Sequence, residues 1–240
     1  QVSLVDKAYY SQYATNFTNY TEEEMQMLYE RRNDKTEHPD RPWIVLQDDG
    51  SYRYYANFDW YNYLYDDSRP TWDHNINIKG GTKALSYMVS GRYYQQKGVN
   101  RIEPDMFKSY NFRVKLQAEI KPWLTIASNT KFFQSNYKYY GYEDEYNNFR
   151  KPTLHALASF VPVNPDGTAV SHTSMTQSST HYLMDGYSAM MQKGKSFGNK
   201  KTQEITTTFE ATFKLHKNFN VKADFSYTQG YLHNDYRSVN

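Results

Sequence analysis

The sequence has no cysteine, which excludes disulfide staples and thiolate metal sites. It has no apolar run near the roughly 20 residues that a membrane-spanning helix needs. Neither charge sign dominates: 28 Lys and Arg against 26 Asp and Glu leave a net +2, too weak a field to draw nucleic acid to the chain as a whole. No secretory leader opens the sequence at Gln1, so an exported precursor is expected to begin upstream. The seven His are scattered, without a metal-ligand spacing such as H-E-x-x-H. Ser, His and Asp form no grouping that stands out from ordinary loop composition. No enzyme chemistry, cofactor or metal is therefore expected.

Aromatic residues, by contrast, make up 18% of the 240 residues, led by 25 Tyr, while the mean hydropathy is −0.92. Disordered chains are polar but poor in aromatics. Abundant β-formers within a polar average instead fit strands that alternate apolar and polar side chains, as in a transmembrane barrel, where every second residue meets lipid.

That alternation is explicit. In 111–120, Phe112, Val114, Leu116, Ala118 and Ile120 fall on one face and Asn111, Arg113, Lys115, Gln117 and Glu119 on the other. Segments 205–215, 219–228 and 85–96 repeat the pattern, 75–79 is a shorter instance and 123–133 a weaker one. These are about six strands in three hairpins, turning at Gly80-Gly81-Thr82-Lys83, Lys121-Pro122 and His216-Lys217-Asn218. Connections on the other side are longer, 97–107 and above all 138–200, and such lopsidedness marks outer-membrane barrels, with short periplasmic turns and long extracellular loops. Trp123 and Phe219 beside the turns, with Tyr93 and Tyr227 about eight residues further along, give two aromatic girdles separated by about 20 Å of height.

The expected fold is all-β: an antiparallel transmembrane β-barrel segment with long extracellular loops and a short helix. Its parts are an extracellular-side region at 1–73, two barrel hairpins at 74–136, a long loop at 137–200, and a further hairpin with the start of a loop at 201–240. Within the first part, Thr21-Glu22-Glu23-Glu24 reads as a capping box, 43–55 as a small hairpin turning at Asp48-Asp49-Gly50, and 57–66 as a helical turn or two. A second small hairpin is expected around Asn164-Pro165-Asp166-Gly167. Six strands in lipid would leave two edges of unpaired N–H and C=O groups, and the smallest common barrels have eight. A larger closed barrel is therefore expected to contain this segment.

Several segments resemble the early barrel of SusC/RagA TonB-dependent transporters. They are Asp59-Trp60-Tyr61, then His74-Asn75-Ile76-Asn77-Ile78-Lys79-Gly80-Gly81-Thr82, then Tyr87-Met88-Val89-Ser90-Gly91-Arg92-Tyr93 followed by Gln95-Gln96-Lys97-Gly98. Lys108-Ser109-Tyr110-Asn111-Phe112-Arg113-Val114 and Pro122-Trp123-Leu124-Thr125-Ile126 continue the likeness in order. The resemblance covers about residues 59–136, with a looser match at 217–227. It implies a barrel of about 22 strands, plugged by an N-terminal domain, capped by an SusD-like surface lipoprotein, energised through TonB and embedded in outer-membrane lipid. The implied function is import of glycan fragments or oligopeptides.

Three groups of candidate contact residues follow. Tyr137, Tyr139, Tyr140, Tyr142 and Tyr146 surround the acidic run Glu143-Asp144-Glu145, a set suited to stacking on substrate or packing on a partner. Arg92, Tyr94, Arg113, Lys115 and Glu119 are expected to face the lumen, towards plug or substrate. Lys193, Lys195, Lys200 and Lys201 lie where lipopolysaccharide phosphates would be met. Two other readings remain open: a soluble aromatic-rich carbohydrate-binding sandwich, in which a second sheet would cover Phe112, Leu116, Phe209 and Phe213, and a passive porin or adhesin barrel.

Overall fold

The computed structural model describes residues 1–140, 156–168, 170 and 196–237. Its frame is one antiparallel sheet of six strands in sequential order: β3 (Thr71–Gly81), β4 (Leu85–Lys97), β5 (Met106–Lys121), β6 (Leu124–Tyr140), β7 (Phe197–His216) and β8 (Phe219–Arg237). Before it come α1 (Val2–Tyr13), α2 (Glu22–Glu30), a two-stranded hairpin of β1 (Ile44–Leu46) and β2 (Tyr52–Tyr54), and α3 (Trp60–Leu64).

The pairing register aligns the alternation from strand to strand. Ile78 pairs with Val89 and Val89 with Val114. Phe112 pairs with Phe132, Phe132 with Ile205, and Phe209 with Phe225. A period of two places every one of these on the same face. The other face carries Arg92, Arg113, Lys115, Asn129, Thr208 and Ser226 along the same strands. The apolar face is uncovered among the described residues: Ile76 is 63%, Phe209 56% and Phe225 66% exposed. Phe112 and Leu116 are likewise exposed, so among the described residues no second sheet lies where the soluble sandwich requires one. Among the described residues the sheet is not closed, and β3 and β8 each have one neighbour.

The strands are longer than their alternation reveals, chiefly at the loop end. β6 continues to Tyr140 and β7 begins at Phe197, so Tyr137, Tyr139, Tyr140 and Lys200 are strand residues and not the loop residues expected. Beyond the apolar band both faces become polar or aromatic, which removes the period-two signal without ending the pairing. Tyr110 shares a rung with Tyr93 and, across β6 and β7, with Tyr231. The expected Tyr227 lies nearer the turns, opposite Thr207. From Tyr110 to Ile120 is ten residues, or about 25 Å of height at a tilt near 40°, matching the lipid-facing band of outer-membrane barrels.

The loop end carries the only substantial hydrophobic core among the described residues. Tyr54, Ala56, Trp60, Leu64 and Tyr65 pack against Ala156, Leu157, Phe160, Val161 and Val170. Backbone bonds from Ala56 to Ser159 (3.0 Å) and Phe58 to Ala158 (2.8 Å) lay the two segments side by side, and the Trp60 indole N–H donates to the Leu157 carbonyl at 2.9 Å. Both small turns form as expected, with Gly50 and Gly167 at positive φ (81° and 84°). Thr21 and Glu24 complete the capping box of α2. Helix α1 is an addition that the sequence did not signal. The buried Asp6 carboxylate anchors it by accepting from the Thr18 N–H (2.7 Å) and hydroxyl (2.6 Å).

Candidate functional site

The polar face of the sheet gathers all five residues expected to line an interior. Arg92 makes a bidentate bond to Asp73 on the neighbouring strand, Nε to Oδ1 at 2.8 Å and Nη2 to Oδ2 at 2.6 Å, and its guanidinium lies 5.6 Å from the Tyr94 ring centroid. Arg113 donates through Nε to Asn129 at 2.8 Å. Lys115 and Glu119 follow on the same face of β5, and Lys131 is the register partner of Arg113. Towards β8 the pair Lys222–Glu210, at 2.6 Å, continues the charged surface. Side chains of both signs, mostly solvated, suit a wall that faces water and can meet polar groups of a plug or a solute.

At the loop end of this face stand Tyr137 and Tyr139, stacked with centroids 5.5 Å apart. Tyr139 is only 2% exposed: its ring covers Gly198 on β7, filling the space a side chain would occupy there, and the Lys200 ammonium lies 5.5 Å from its centroid. Its face is therefore taken up by the wall and is not open for stacking on a ligand. The Tyr137 hydroxyl donates to Asp105 at 3.3 Å. Tyr140 is on the opposite, outward face beside Lys138. Lys200 and Lys201 are likewise divided by strand parity: Lys200 pairs with Tyr137 on the polar face, directed away from the lipopolysaccharide expected for it, and Lys201 pairs with Asn136 on the outward face. Tyr142, Glu143, Asp144, Glu145, Tyr146, Lys193 and Lys195 lie outside the described residues.

Above the barrel rim, the β4–β5 loop joins the hydrophobic subdomain. Arg101 Nε meets Asp66 at 3.1 Å and Lys97 meets the same carboxylate at 3.4 Å. Val99 and Ile102 pack on the core. Glu24 holds α2 to the hairpin, accepting from Arg53 Nε (2.7 Å) and the Tyr55 hydroxyl (2.6 Å). Burial works to raise the Glu24 pKa, but the bonds from Tyr55, the Thr21 N–H and Arg53 outweigh it, and the carboxyl sits below its usual range. Burial pushes the Tyr54 phenol up to about 12 and raises Tyr20 further. A cavity of about 990 Å³ opens between α1, α2 and 158–159, lined by Tyr10, Tyr20, Met25, Tyr29 and Arg32. Sequence reading missed it because α1, one of its walls, was not recognised. Among the described residues no group of His, Asp or Glu is placed to hold a metal.

No protein-family model and no curated protein matches the chain. Among solved structures it is similar to the RagAB peptide importer in its "closed-closed" state (19% identity, TM-score 0.56) and in its "open-open" state (19%, 0.54), over 95% of this chain and 25% of that chain in each case. A structure of the RagAB peptide transporter is similar over 70% of this chain and 18% of that one, at 21% identity and TM-score 0.48. The fold is that of a RagA-type barrel wall. The resemblance to SusC/RagA barrels read from the sequence therefore holds at the level of fold, and the chain spans about a quarter of the length of the two importer structures. These neighbours are transporters rather than enzymes.

Proposed function

We infer that these residues form part of the wall and extracellular rim of a TonB-dependent outer-membrane transporter that imports oligopeptides or glycan fragments. The observation that carries this reading is the continuity of one apolar face across all six strands, with no layer covering it among the described residues and a charged, solvated face behind it. Such a sheet is stable only where lipid meets one side and water the other, and where further strands satisfy its edges. The RagAB likeness in fold supports a transport role. An SusD-like lipoprotein would cap the rim, and the cavity beside α1 and α2, with its mix of Tyr, Met and Arg side chains, is of a size that takes a small-molecule or short-oligomer ligand. Arg92, Tyr94, Arg113, Lys115 and Glu119 would touch plug or cargo. The acidic tyrosine-rich run at 142–146 would touch cargo or lipoprotein.

The test is uptake by cells carrying the complete transporter. Labelled oligopeptides and oligosaccharides are supplied with and without a functional TonB system, and with the gene deleted. Uptake of one cargo class that vanishes in both the deletion and the TonB-deficient cells is expected. Uptake that survives loss of TonB would point to a passive barrel, and indifference to the deletion would end the transport reading.

A further inference from the structure

Directly above the upper girdle, the outward face turns basic. The rung one step beyond Tyr93 and Tyr110 runs Gln95, Lys108, Asn136, Lys201, His233, and the next runs Lys97, Met106, Lys138, Asn199, Asp235. Lys97 is engaged by Asp66, and Asp235, the one acid in these two rungs, is engaged by His233. That leaves Lys108, Lys138 and Lys201, none of which forms an ion pair among the described residues. Register fixes their spacing. Lys138 is the diagonal neighbour of both others, at about 7–8 Å, and Lys108 and Lys201 are two strands apart, at about 10 Å.

Just below this triangle the greasy face is indented. Gly91 presents no side chain between Ile76, Tyr93 and Phe112, and with Tyr110 and Phe132 these residues line a shallow, open depression of about 630 Å³. A triangle of cations over an apolar depression, at the height where a girdle meets water, matches one molecule in shape and charge: a lipid with a phosphorylated headgroup and an acyl chain beneath it.

We propose that Lys108, Lys138 and Lys201, together with the depression at Gly91, bind a phosphorylated lipid of the outer leaflet against the barrel wall. The ammonium groups take the headgroup phosphate, and the chain lies across Gly91 between the girdle tyrosines and Phe112. Lys97 and His233 flank the site without being required for it. The proposal rests on the membrane reading given above.

The test uses the complete barrel, extracted from its membrane in mild detergent, with native mass spectrometry of retained lipid and exchange of added lipid A against a dephosphorylated form. Wild type is expected to retain and exchange the phosphorylated lipid. Lys108→Gln/Lys138→Gln/Lys201→Gln should lose tenfold or more of the retained lipid while keeping heat-modifiable electrophoretic mobility. Gly91→Val, whose Cβ meets nothing closer than Ile76 Cγ2 at 3.6 Å, should weaken lipid A while leaving the response to inorganic phosphate unchanged. Should the triple variant fail to fold, Lys138→Gln alone, on a well-exposed side chain, is expected to give a smaller loss in the same direction. Equal retention in wild type and folded variants, or equal exchange of the dephosphorylated lipid, overturns the proposal and leaves the membrane reading intact. Recovery of the wild-type protein from the soluble fraction overturns the membrane reading itself.

Discussion

The six-stranded sheet and the subdomain at its loop end use the same kinds of side chain in opposite ways. On the sheet, Phe225 and Ile76 are more than 60% exposed within the chain, and in the subdomain Phe160 is fully buried and Leu157 and Leu64 are 1% exposed. The subdomain makes its own apolar surroundings by laying 156–161 against 54–60. The sheet makes none and depends on what lies outside it. In the subdomain stability is thus a matter of packing, and in the sheet, on the membrane reading, a matter of which solvent touches which face.

Core truncation should separate the regions most sharply. Trp60→Ala or Phe160→Ala removes a buried aromatic and its cavity-lining contacts, at about 3–5 kcal/mol. With Trp60 the bond to Leu157 is lost as well. Limited proteolysis of the complete barrel should then cut within 1–66, with the strands still protected and electrophoretic mobility still heat-modifiable. Simultaneous collapse of the strands would show that the two regions are a single cooperative unit.

The second experiment reverses the logic. Phe225→Arg changes an exposed residue near mid-height of the apolar band, on the rung of Leu116 and Phe209. In water such a change is nearly neutral. Against lipid it should cost about 2–4 kcal/mol, read as a lower urea midpoint for barrel unfolding in lipid. Ser226→Arg, one residue along on the polar face, should leave that midpoint almost unchanged. Equal effects of the two would mean that the faces do not meet different solvents.

How much of each region could be read in the sequence follows from the same contrast. Where apolar and polar residues alternate strictly, as in Phe112 to Ile120 or Phe219 to Tyr227, strands and faces are plain in the sequence, and all five expected interior residues share one face. Past the girdle the alternation lapses, so the strand ends at Tyr137–Tyr140 and Phe197–Lys200 read as loop. The Lys200–Lys201 pair also shows that proximity to the interface says nothing about side: one step along a strand exchanges interior for exterior. In the subdomain, local signals such as the capping box at Thr21 and the Asp-Gly turns were legible. The core was not, because its halves lie roughly a hundred residues apart and nothing in Leu157 or Phe160 names Trp60 as a partner. Helix α1 went unseen for a local reason: Gln1 makes no side-chain cap and the helix ends on Ala14 at φ 56°, without the usual glycine.

A third experiment probes polar interactions within the packed region. The Glu24–Arg53 pair is largely shielded, with side chains 14% and 19% exposed. Arg53→Met leaves the carboxylate with fewer donors and should cost about 1–2 kcal/mol after allowance for solvent screening. The folded Glu24 pKa is depressed. Its contribution is therefore present above the unfolded value of about 4.3 and is lost as pH falls through the folded value. Protease protection of 1–66 should weaken with acidification below about pH 4 in the wild type, and less steeply in Arg53→Met.

The smallest effect belongs to the matching pair on the sheet. Arg92 and Asp73 have the same two-pronged geometry as Arg53 and Glu24, at nearly the same distances, but their side chains are 51% and 38% exposed. Water on this exposed face screens both charges and solvates whichever one remains, so Asp73→Asn is expected to leave the urea midpoint of the barrel within experimental error. Geometry alone would rank the two pairs as equals, and only their surroundings separate them. A large loss of stability on Asp73→Asn would therefore mean that the polar face is packed against protein at this point, with a plug element shielding the pair from water as the subdomain shields Glu24.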